Sequence, residues 1–225
     1  MNKIKQMLQL QQQLNDATSG KGWEAGMTNK GKPIDWKRCI YLEAAELVDS
    51  YPWKHWKNIA GEPDYENIKI EVVDIWHFVM SEALRQYKIN RLGNIDDLAK
   101  TIQSLDYFPE FSQVKPEKPL GVFEQIAEIE ALLQVLFSQK DIKALLAVFF
   151  KMSSALQIYL PELYQLYVGK NILNQFRQDH GYKEGKYIKK WNGIEDNVAM
   201  QQILQLVPDV TPEQLYQLLE EKYPN

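Results

Sequence analysis

Two pairs of carboxylates could carry chemistry, because each pair is spaced by three residues within largely apolar sequence. Glu43 and Glu46 form one pair, and Glu71 and Asp74 form the other. Residues three apart lie on one face of a helix, and a buried carboxylate is costly unless it finds a proton, a hydrogen-bond donor or a cation. Carboxylate oxygens are the ligands that Mg²⁺ takes. The spacing therefore predicts a magnesium site between two helices, with ordinary surface positions on amphipathic helices as the alternative.

Polar residues mark two further helix faces. Gln12 and Asn15 are three residues apart near the end of the first expected helix. Lys170, Asn174 and Arg177 follow at spacings of four and three, so they share a face of a later helix. Because lysine and arginine bind phosphate oxygens well, this face is either an anion clamp or a solvated surface.

Two loop segments and one histidine could complete such a site. The segment Trp53–Lys57 holds two tryptophans and two lysines, which suits base stacking and phosphate neutralisation or a sticky surface. Residues 181–197 are lysine-rich and lack hydrophobic periodicity, so they form either a disordered connector or a lid that orders over a ligand. His77 follows Asp74 by three residues, and we expect it to hydrogen-bond beside the metal rather than bind it.

Apolar residues recur at helical spacing through most of the chain, which predicts an all-α fold. The segment 104–121 contains three prolines and is expected to be an irregular connection within one domain. Period-2 alternation is not sustained anywhere, and Asn192-Gly193 lies in polar sequence, so no strand is expected. The expected helices span about 3–16, 36–49, 66–88 and 141–159, with others near Val122, Pro161 and Thr211.

Composition argues against several other classes of protein. A net charge of −4 gives no basic field for nucleic acid, and the apolar runs are too short to cross a bilayer. Three scattered histidines and the single cysteine, Cys39, do not form a zinc site. The sequence also lacks a nucleophile elbow and a phosphate loop. The remaining expectation is a cytoplasmic protein with metal-assisted phosphate chemistry on a nucleotide.

Six motifs occur in an order that strongly resembles the dimeric, all-α dUTPases, relatives of the MazG-like pyrophosphohydrolases. Each motif alone is weak, whereas their combination is specific. The motifs are LQQQLN at 10–15, EAAELVDS at 43–50, WKHWK at 53–57, EVVDIWHF at 71–78, GKNILNQFR at 169–177 and WNGIEDN at 191–197.

The resemblance implies one all-α domain over residues 1–225, a helical bundle with two antiparallel metal-binding helices and a mobile lid around 181–197. It implies Mg²⁺-dependent hydrolysis of dUTP and dUDP to dUMP, which controls the dUTP pool and supplies dUMP for thymidylate synthesis. By similarity Glu43, Glu46, Glu71 and Asp74 bind Mg²⁺. Glu46 also orients or deprotonates the attacking water.

The same resemblance assigns the other motifs to the substrate. Asn15 and Gln12 are expected to read the edge of uracil, where a mismatched base would leave buried groups unpaired. The remaining expected contacts are Trp53 and Phe78 with base or sugar, His77 near the deoxyribose, Lys54, Lys57, Lys170, Asn174 and Arg177 with phosphates, and Lys186 and Asn192 in the lid.

The expected assembly is a homodimer without nucleic-acid or membrane partners. Two alternatives stay open. One is a related all-α pyrophosphohydrolase that acts on another nucleotide, such as dCTP. The other is a non-catalytic helical interaction protein that has kept the scaffold.

Overall fold

The computed structural model describes residues 2–57, 61–115, 118–138, 141–207 and 210–224. It is 68% helical with almost no sheet, so the all-α class is confirmed. A short 3-10 helix, Trp23–Ala25, follows the first helix. The α-helices of the described residues are α1 Lys3–Ser19, α2 Trp36–Asp49, α3 Tyr65–Ile89, α4 Ile95–Gln103, α5 Phe108–Phe111, α6 Val122–Ser138, α7 Ile142–Ala155, α8 Leu160–Asp179, α9 Asp196–Leu206 and α10 Pro212–Lys222.

Capping side chains explain where several helices begin. Asn2, Asp35 and Asp64 each accept a hydrogen bond from the backbone N–H three residues later, at the starts of α1, α2 and α3. The helix α4 was not expected from the sequence, although Asn94 and Asp97 form a capping box at its start. The helix α9 was not expected either, and α5 interrupts the connection that was expected to be irregular.

The helices α2 and α3 form an antiparallel pair that carries the predicted metal ligands. The backbone N–H of Asp64 donates to the carbonyl oxygen of Ser50 at 2.9 Å, and Nδ2 of Asn67 donates to Oγ of Ser50 at 2.8 Å. These bonds place the end of α2 beside the start of α3. The two helices then pack along each other in opposite directions.

The chain divides into two compact units, Met1–Leu163 and Tyr164–Asn225. In the first unit, one side of α3 enters an aromatic core. Trp76 stacks on Phe149, and Phe111 stacks on Phe150, each with ring centroids 4.8 Å apart. This packing fixes α3 against α7 and leaves its polar residues to α1 and α2. The single domain expected from the resemblance stays a prediction.

The second unit has its own core, in which α8 and α9 pack closely. A Cβ at Gly169 would lie 2.8 Å from Cδ1 of Leu204 and 3.2 Å from Sδ of Met200, so the close approach requires glycine. The buried cluster comprises Leu173, Phe176, Trp191, Ala199, Met200, Ile203, Leu204, Leu215 and Leu219.

A small hairpin within 181–197 corrects the expectation that the chain has no strand. The strand β1 (Lys190–Trp191) pairs antiparallel with β2 (Ile194–Glu195). Asn192 and Gly193 form the turn with φ angles of 51° and 89°. Two positive φ angles define the type I′ turn that Asn-Gly favours. The strands escaped sequence analysis because each has two residues, and of these four only Trp191 is buried.

No single helix among the described residues has both the length and the apolar character to cross a membrane. The helices α7 and α8, taken together as a bent pair, meet that test on length and composition alone.

Candidate active site

Three of the four predicted metal ligands lie together on the α2–α3 pair. One oxygen from each of Glu43, Glu46 and Glu71 lies within 4.8 Å of the others. Glu46 is exposed and Glu43 is half-buried, whereas Glu71 is only 5% exposed. The group is therefore open to solvent at Glu46 and enclosed at Glu71.

Asp74, the fourth predicted ligand, is half-buried one turn beyond Glu71 on α3. It is not a member of the three-carboxylate group. A spacing of three residues gives the two side chains a shared face but separates their backbones by about 4.5 Å along the axis. The assignment of Asp74 as a metal ligand stays a prediction.

The donor set fits a hard divalent cation. The three ligands are all carboxylates, which bind Mg²⁺ and Ca²⁺ through oxygen, and no described histidine or cysteine belongs to the group. Negative charges this close repel each other, and the burial of Glu71 removes part of the screening by water. A cation held by these oxygens would offset that repulsion, and the exposed side leaves room for water and substrate ligands.

A second polar cluster joins α1 to α3. Gln11 and Asn15 come from α1, His77 and Ser81 come from α3, and none is more than 4% exposed. Both amide nitrogens donate to Oγ of Ser81 at 3.0 Å, and Nδ1 of His77 lies 2.7 Å from Oε1 of Gln11. His77 follows Glu71 by six residues on the same helix, a rise of about 9 Å along its axis.

Gln12, which the sequence paired with Asn15, lies elsewhere on α1. Its Nε2 donates to Asp16 and to Glu24, each at 3.2 Å. The buried amide that contacts Asn15 is Gln11, one residue earlier. In the structure Asn15 is therefore paired with Gln11 and not with Gln12. Residues 11 and 15 are four apart and share the face of α1 toward α3.

The aromatic residues predicted to contact base or sugar are half-buried. Phe78 stacks on Trp36 with ring centroids 5.9 Å apart and an interplanar angle of 25°. Trp53 lies edge-on to Trp56 at 5.6 Å, in the segment directly after α2. Each side chain therefore already has one aromatic neighbour that holds its ring.

The lysines of the Trp53–Lys57 segment differ in their surroundings. Lys54 forms an ion pair with Asp49 and lies over the ring of Trp53, 5.8 Å from its centroid. Lys57 is exposed, and its backbone N–H donates to the carbonyl oxygen of Lys54 at 2.9 Å. The loop is therefore folded on itself next to the end of the helix that carries Glu43 and Glu46.

In the second unit, the three residues of the predicted anion clamp meet the first turn of α9. Arg177 donates to both carboxylate oxygens of Asp196, at 2.8 and 2.9 Å, and to Oδ1 of Asn174 at 3.1 Å. Lys170 donates to Oδ1 of Asn197 at 2.8 Å. The spacing of the three residues predicted a shared helix face, and they do lie close together. The sequence did not predict that Asp196 and Asn197 would be their partners.

Burial and charge shift the pKa values of this network in opposite directions. Burial of Asp196 would raise the pKa of its carboxyl, but the hydrogen bonds and charge of Arg177 outweigh it and hold that pKa below its usual value. Burial, together with Asp196, raises the pKa of Tyr187. The phenol therefore stays protonated and donates to Oδ2 of Asp196 at 2.9 Å.

The two predicted lid residues lie on the surface outside this network. Lys186 is exposed, and its backbone N–H donates to the carbonyl oxygen of Gly181 at 3.0 Å. Asn192 is exposed in the hairpin turn. The segment 181–197 thus contains turns and the small hairpin before α9, and its role as a lid stays a prediction.

Sequence reasoning missed three residues of these clusters, although each had a signal. Gln11 is four residues from Asn15, and Ser81 is four residues from His77, which is as good a helical spacing as three. Asp196 belongs to the 191–197 motif, where an acid that follows a hairpin can begin a helix.

The chain has no match among curated proteins. A family model described as dUTPase matches residues 3–182, which is most of the chain and includes both carboxylate pairs, the amide cluster and the α8 residues. With its helical fold and its group of three carboxylates, the chain belongs to the all-α dUTPase family, whose enzymes hydrolyse dUTP with a divalent metal ion.

Proposed function

We propose that the chain converts dUTP, and also dUDP, to dUMP in a reaction that depends on Mg²⁺. This reaction would limit the dUTP pool and supply dUMP for thymidylate synthesis. The observation that carries the proposal is the group of three carboxylates within 4.8 Å on α2 and α3. Such a group has a chemical use with a cation and a cost without one.

The members of the group have different tasks in this proposal. Glu43, Glu46 and Glu71 hold the ion together with Asp74 from outside the group, and the enclosed position of Glu71 fixes one side of the site. Glu46 is exposed, so its carboxylate can reach a water molecule and orient or deprotonate it. When bound, Mg²⁺ neutralises charge on the phosphates and lowers the pKa of a coordinated water.

The base is read by the buried amide of Asn15, and we add Gln11 to that group because it bonds to Asn15 directly. Gln12 stays a prediction for the same role, in which its amide would exchange its bonds to Asp16 and Glu24 for the base. The other proposed contacts are Trp53, Phe78 and His77 with base and sugar, Lys54, Lys57, Lys170, Asn174 and Arg177 with phosphates, and Lys186 and Asn192 in a lid.

Product analysis of dUTP and dUDP, with and without Mg²⁺, tests the proposal. We expect dUMP and pyrophosphate from dUTP, dUMP and phosphate from dUDP, and neither reaction without the metal. Glu46→Gln is expected to abolish nearly all turnover while circular dichroism stays helical. Wild-type rates in that variant would remove Glu46 from the mechanism.

Glu66→Gln is the matched control on α3. Glu66 is half-exposed and lies 3.7 Å from Lys69, a surface pair that contributes little to stability. Its turnover should therefore equal that of the wild type.

A substrate panel separates the remaining alternatives. Faster hydrolysis of dCTP than of dUTP would identify a related pyrophosphohydrolase with another base preference. No release of pyrophosphate or phosphate from any nucleotide would identify a non-catalytic protein. We also propose that residues 1–225 act as one domain with a lid around 181–197, and that the enzyme is a cytoplasmic homodimer.

A further inference from the structure

We propose that Ser81 determines base specificity, because its hydroxyl fixes the amide of Asn15 in the one orientation that pairs with uracil and not with cytosine. The inference rests on the proposed function, since it concerns which base the same site admits. Ser81 is completely buried on α3, and none of the sequence motifs singles it out.

The direction of the hydrogen bond from Ser81 is fixed by a backbone group. Its hydroxyl donates to the carbonyl oxygen of His77 at 2.8 Å, and a carbonyl oxygen can only accept. The hydroxyl oxygen is therefore an acceptor toward Gln11 and Asn15, whose amide nitrogens lie at 3.0 Å. The opposite arrangement, in which Ser81 donates to Oδ1 of Asn15, is longer at 3.5 Å.

Gln11 fixes the other end of the same amide. Its Oε1 accepts from Nδ1 of His77 at 2.7 Å, so its Nε2 faces Asn15 and donates to Oδ1 at 3.0 Å. The four residues thus form a hydrogen-bonded network in which Gln11 donates to both Asn15 and Ser81, and Ser81 donates to the backbone of His77. A turned-over Asn15 amide would set its Nδ2 against Nε2 of Gln11, two donors facing each other in a buried place.

The network leaves Asn15 with a defined donor for a ligand. An amide nitrogen has two N–H groups, and Nδ2 of Asn15 uses one of them toward Ser81. Oγ of Ser81 lies 3.0 Å from Nδ2 and 3.5 Å from Oδ1, so it takes the N–H on the oxygen's side of the amide. The second N–H points away from Ser81, and the orientation that Ser81 and Gln11 fix makes this position a donor rather than an acceptor.

Uracil and cytosine differ in the group that they offer to such a donor. Uracil carries an acceptor oxygen at the position where cytosine carries an amino group that donates. With the sugar and phosphates held at one position, the fixed N–H can bond to the oxygen of uracil but meets a second donor in cytosine. A site whose buried polar groups would be left unpaired rejects the other base strongly.

The test is the ratio of kcat/KM for dUTP to kcat/KM for dCTP, measured with Mg²⁺. We expect the wild type to favour dUTP and Ser81→Ala to lower the ratio about tenfold, the equivalent of one neutral hydrogen bond. The loss should come mainly from faster use of dCTP, because the freed amide can turn over to meet cytosine.

Ser153→Ala is the matched control. Ser153 is also a completely buried serine in the first unit, and its hydroxyl donates to the carbonyl oxygen of Ile158 at 2.6 Å. Its removal should lower stability and leave the dUTP-to-dCTP ratio unchanged.

A folded Ser81→Ala enzyme with the wild-type ratio overturns the inference. If that variant does not fold, Gln11→Met decides, since it removes the hydrogen bond to Oδ1 of Asn15 from the other side, and an unchanged ratio there also overturns it. A wild-type preference for dCTP would overturn the assigned orientation of Asn15. A wild type without activity on dUTP would instead refute the proposed function, and that measurement requires no variant.

Discussion

Two buried glutamates on α3 are expected to respond in opposite ways when each is changed to glutamine. Glu71 lies against Glu43 and Glu46, whereas Glu82 forms hydrogen-bonded ion pairs with Arg85 at 2.8 and 3.1 Å. Glutamine keeps the shape and removes the charge. The two substitutions therefore separate the effect of close like charges from the effect of the Glu82–Arg85 ion pair.

In the metal-free protein, Glu71→Gln removes one of three charges whose oxygens lie within 4.8 Å of one another. At that separation a like-charge pair costs about 1 kcal/mol in water and about 3 kcal/mol near a protein surface. Since Glu46 is exposed, the lower part of the range applies, and we expect a gain of about 1–2 kcal/mol in the free energy of unfolding. For a chain of this size that gain raises the Tm by about 2–8 °C.

Glu82→Gln should change the Tm in the other direction. The hydrogen bond and charge of Glu82 raise the pKa of Arg85, and their loss leaves the guanidinium with weaker partners. Because Arg85 is 30% exposed, water can replace part of the interaction, and the expected cost is about 1–2 kcal/mol. The Tm should fall by about 2–8 °C.

Differential scanning calorimetry with and without Mg²⁺ measures both effects. An ion that binds only the folded state raises the Tm, so the wild type and Glu82→Gln should both shift upward with Mg²⁺. Glu71→Gln should lose most of that shift. A Glu71→Gln protein that melts below the wild type and keeps the full Mg²⁺-dependent shift would refute the reasoning, because Glu71 would then be a structural residue.

Two further predictions concern the second unit. Asp196→Asn should lower the free energy of unfolding by about 3 kcal/mol at pH 7, since it leaves the largely buried Arg177 without its carboxylate. Because the folded-state pKa of Asp196 lies below the usual 3.8, this stabilisation is complete above that pH and is lost as the pH falls below it. Urea titrations should show the difference from the wild type closing in acid, and an equal difference at every pH would contradict the pairing. Gly169→Ala should cost about 1–3 kcal/mol through its contact with Leu204, and that cost should shrink in a Leu204→Ala background; strict additivity in urea unfolding would argue against the contact.

Local patterns were enough to predict the helices that carry the candidate site. The expected spans 36–49 and 66–88 match α2 and α3 within one residue at each end, because Asp35 and Asp64 cap helices whose apolar residues recur at helical spacing. The same spacing correctly grouped Glu43, Glu46 and Glu71. It could not decide the part played by Asp74, which depends on how far each side chain reaches across the helix pair.

Contacts between distant parts of the chain account for most of what the sequence did not predict. Residues three and four apart share a helix face equally well, so the sequence could not choose between Gln12 and Gln11 as the partner of Asn15. The choice is made by Ser81, 66 to 70 residues away from these amides on α3. Similarly, the strands on either side of Asn192-Gly193 pair where Trp191 is buried in the core of the second unit. The residues next to Trp191 in the sequence do not reveal that burial.

The placement of Glu71, His77 and Ser81 on one unbroken helix also limits how this chain can vary in length. Deleting one residue between Glu71 and His77 would turn all later side chains by about 100° and draw them about 1.5 Å closer to the carboxylates. No loop lies between the two clusters to absorb such a change. We therefore expect the segment 71–81 to accept substitutions but neither insertions nor deletions, whereas the connection between α5 and α6 can change in length without moving either cluster.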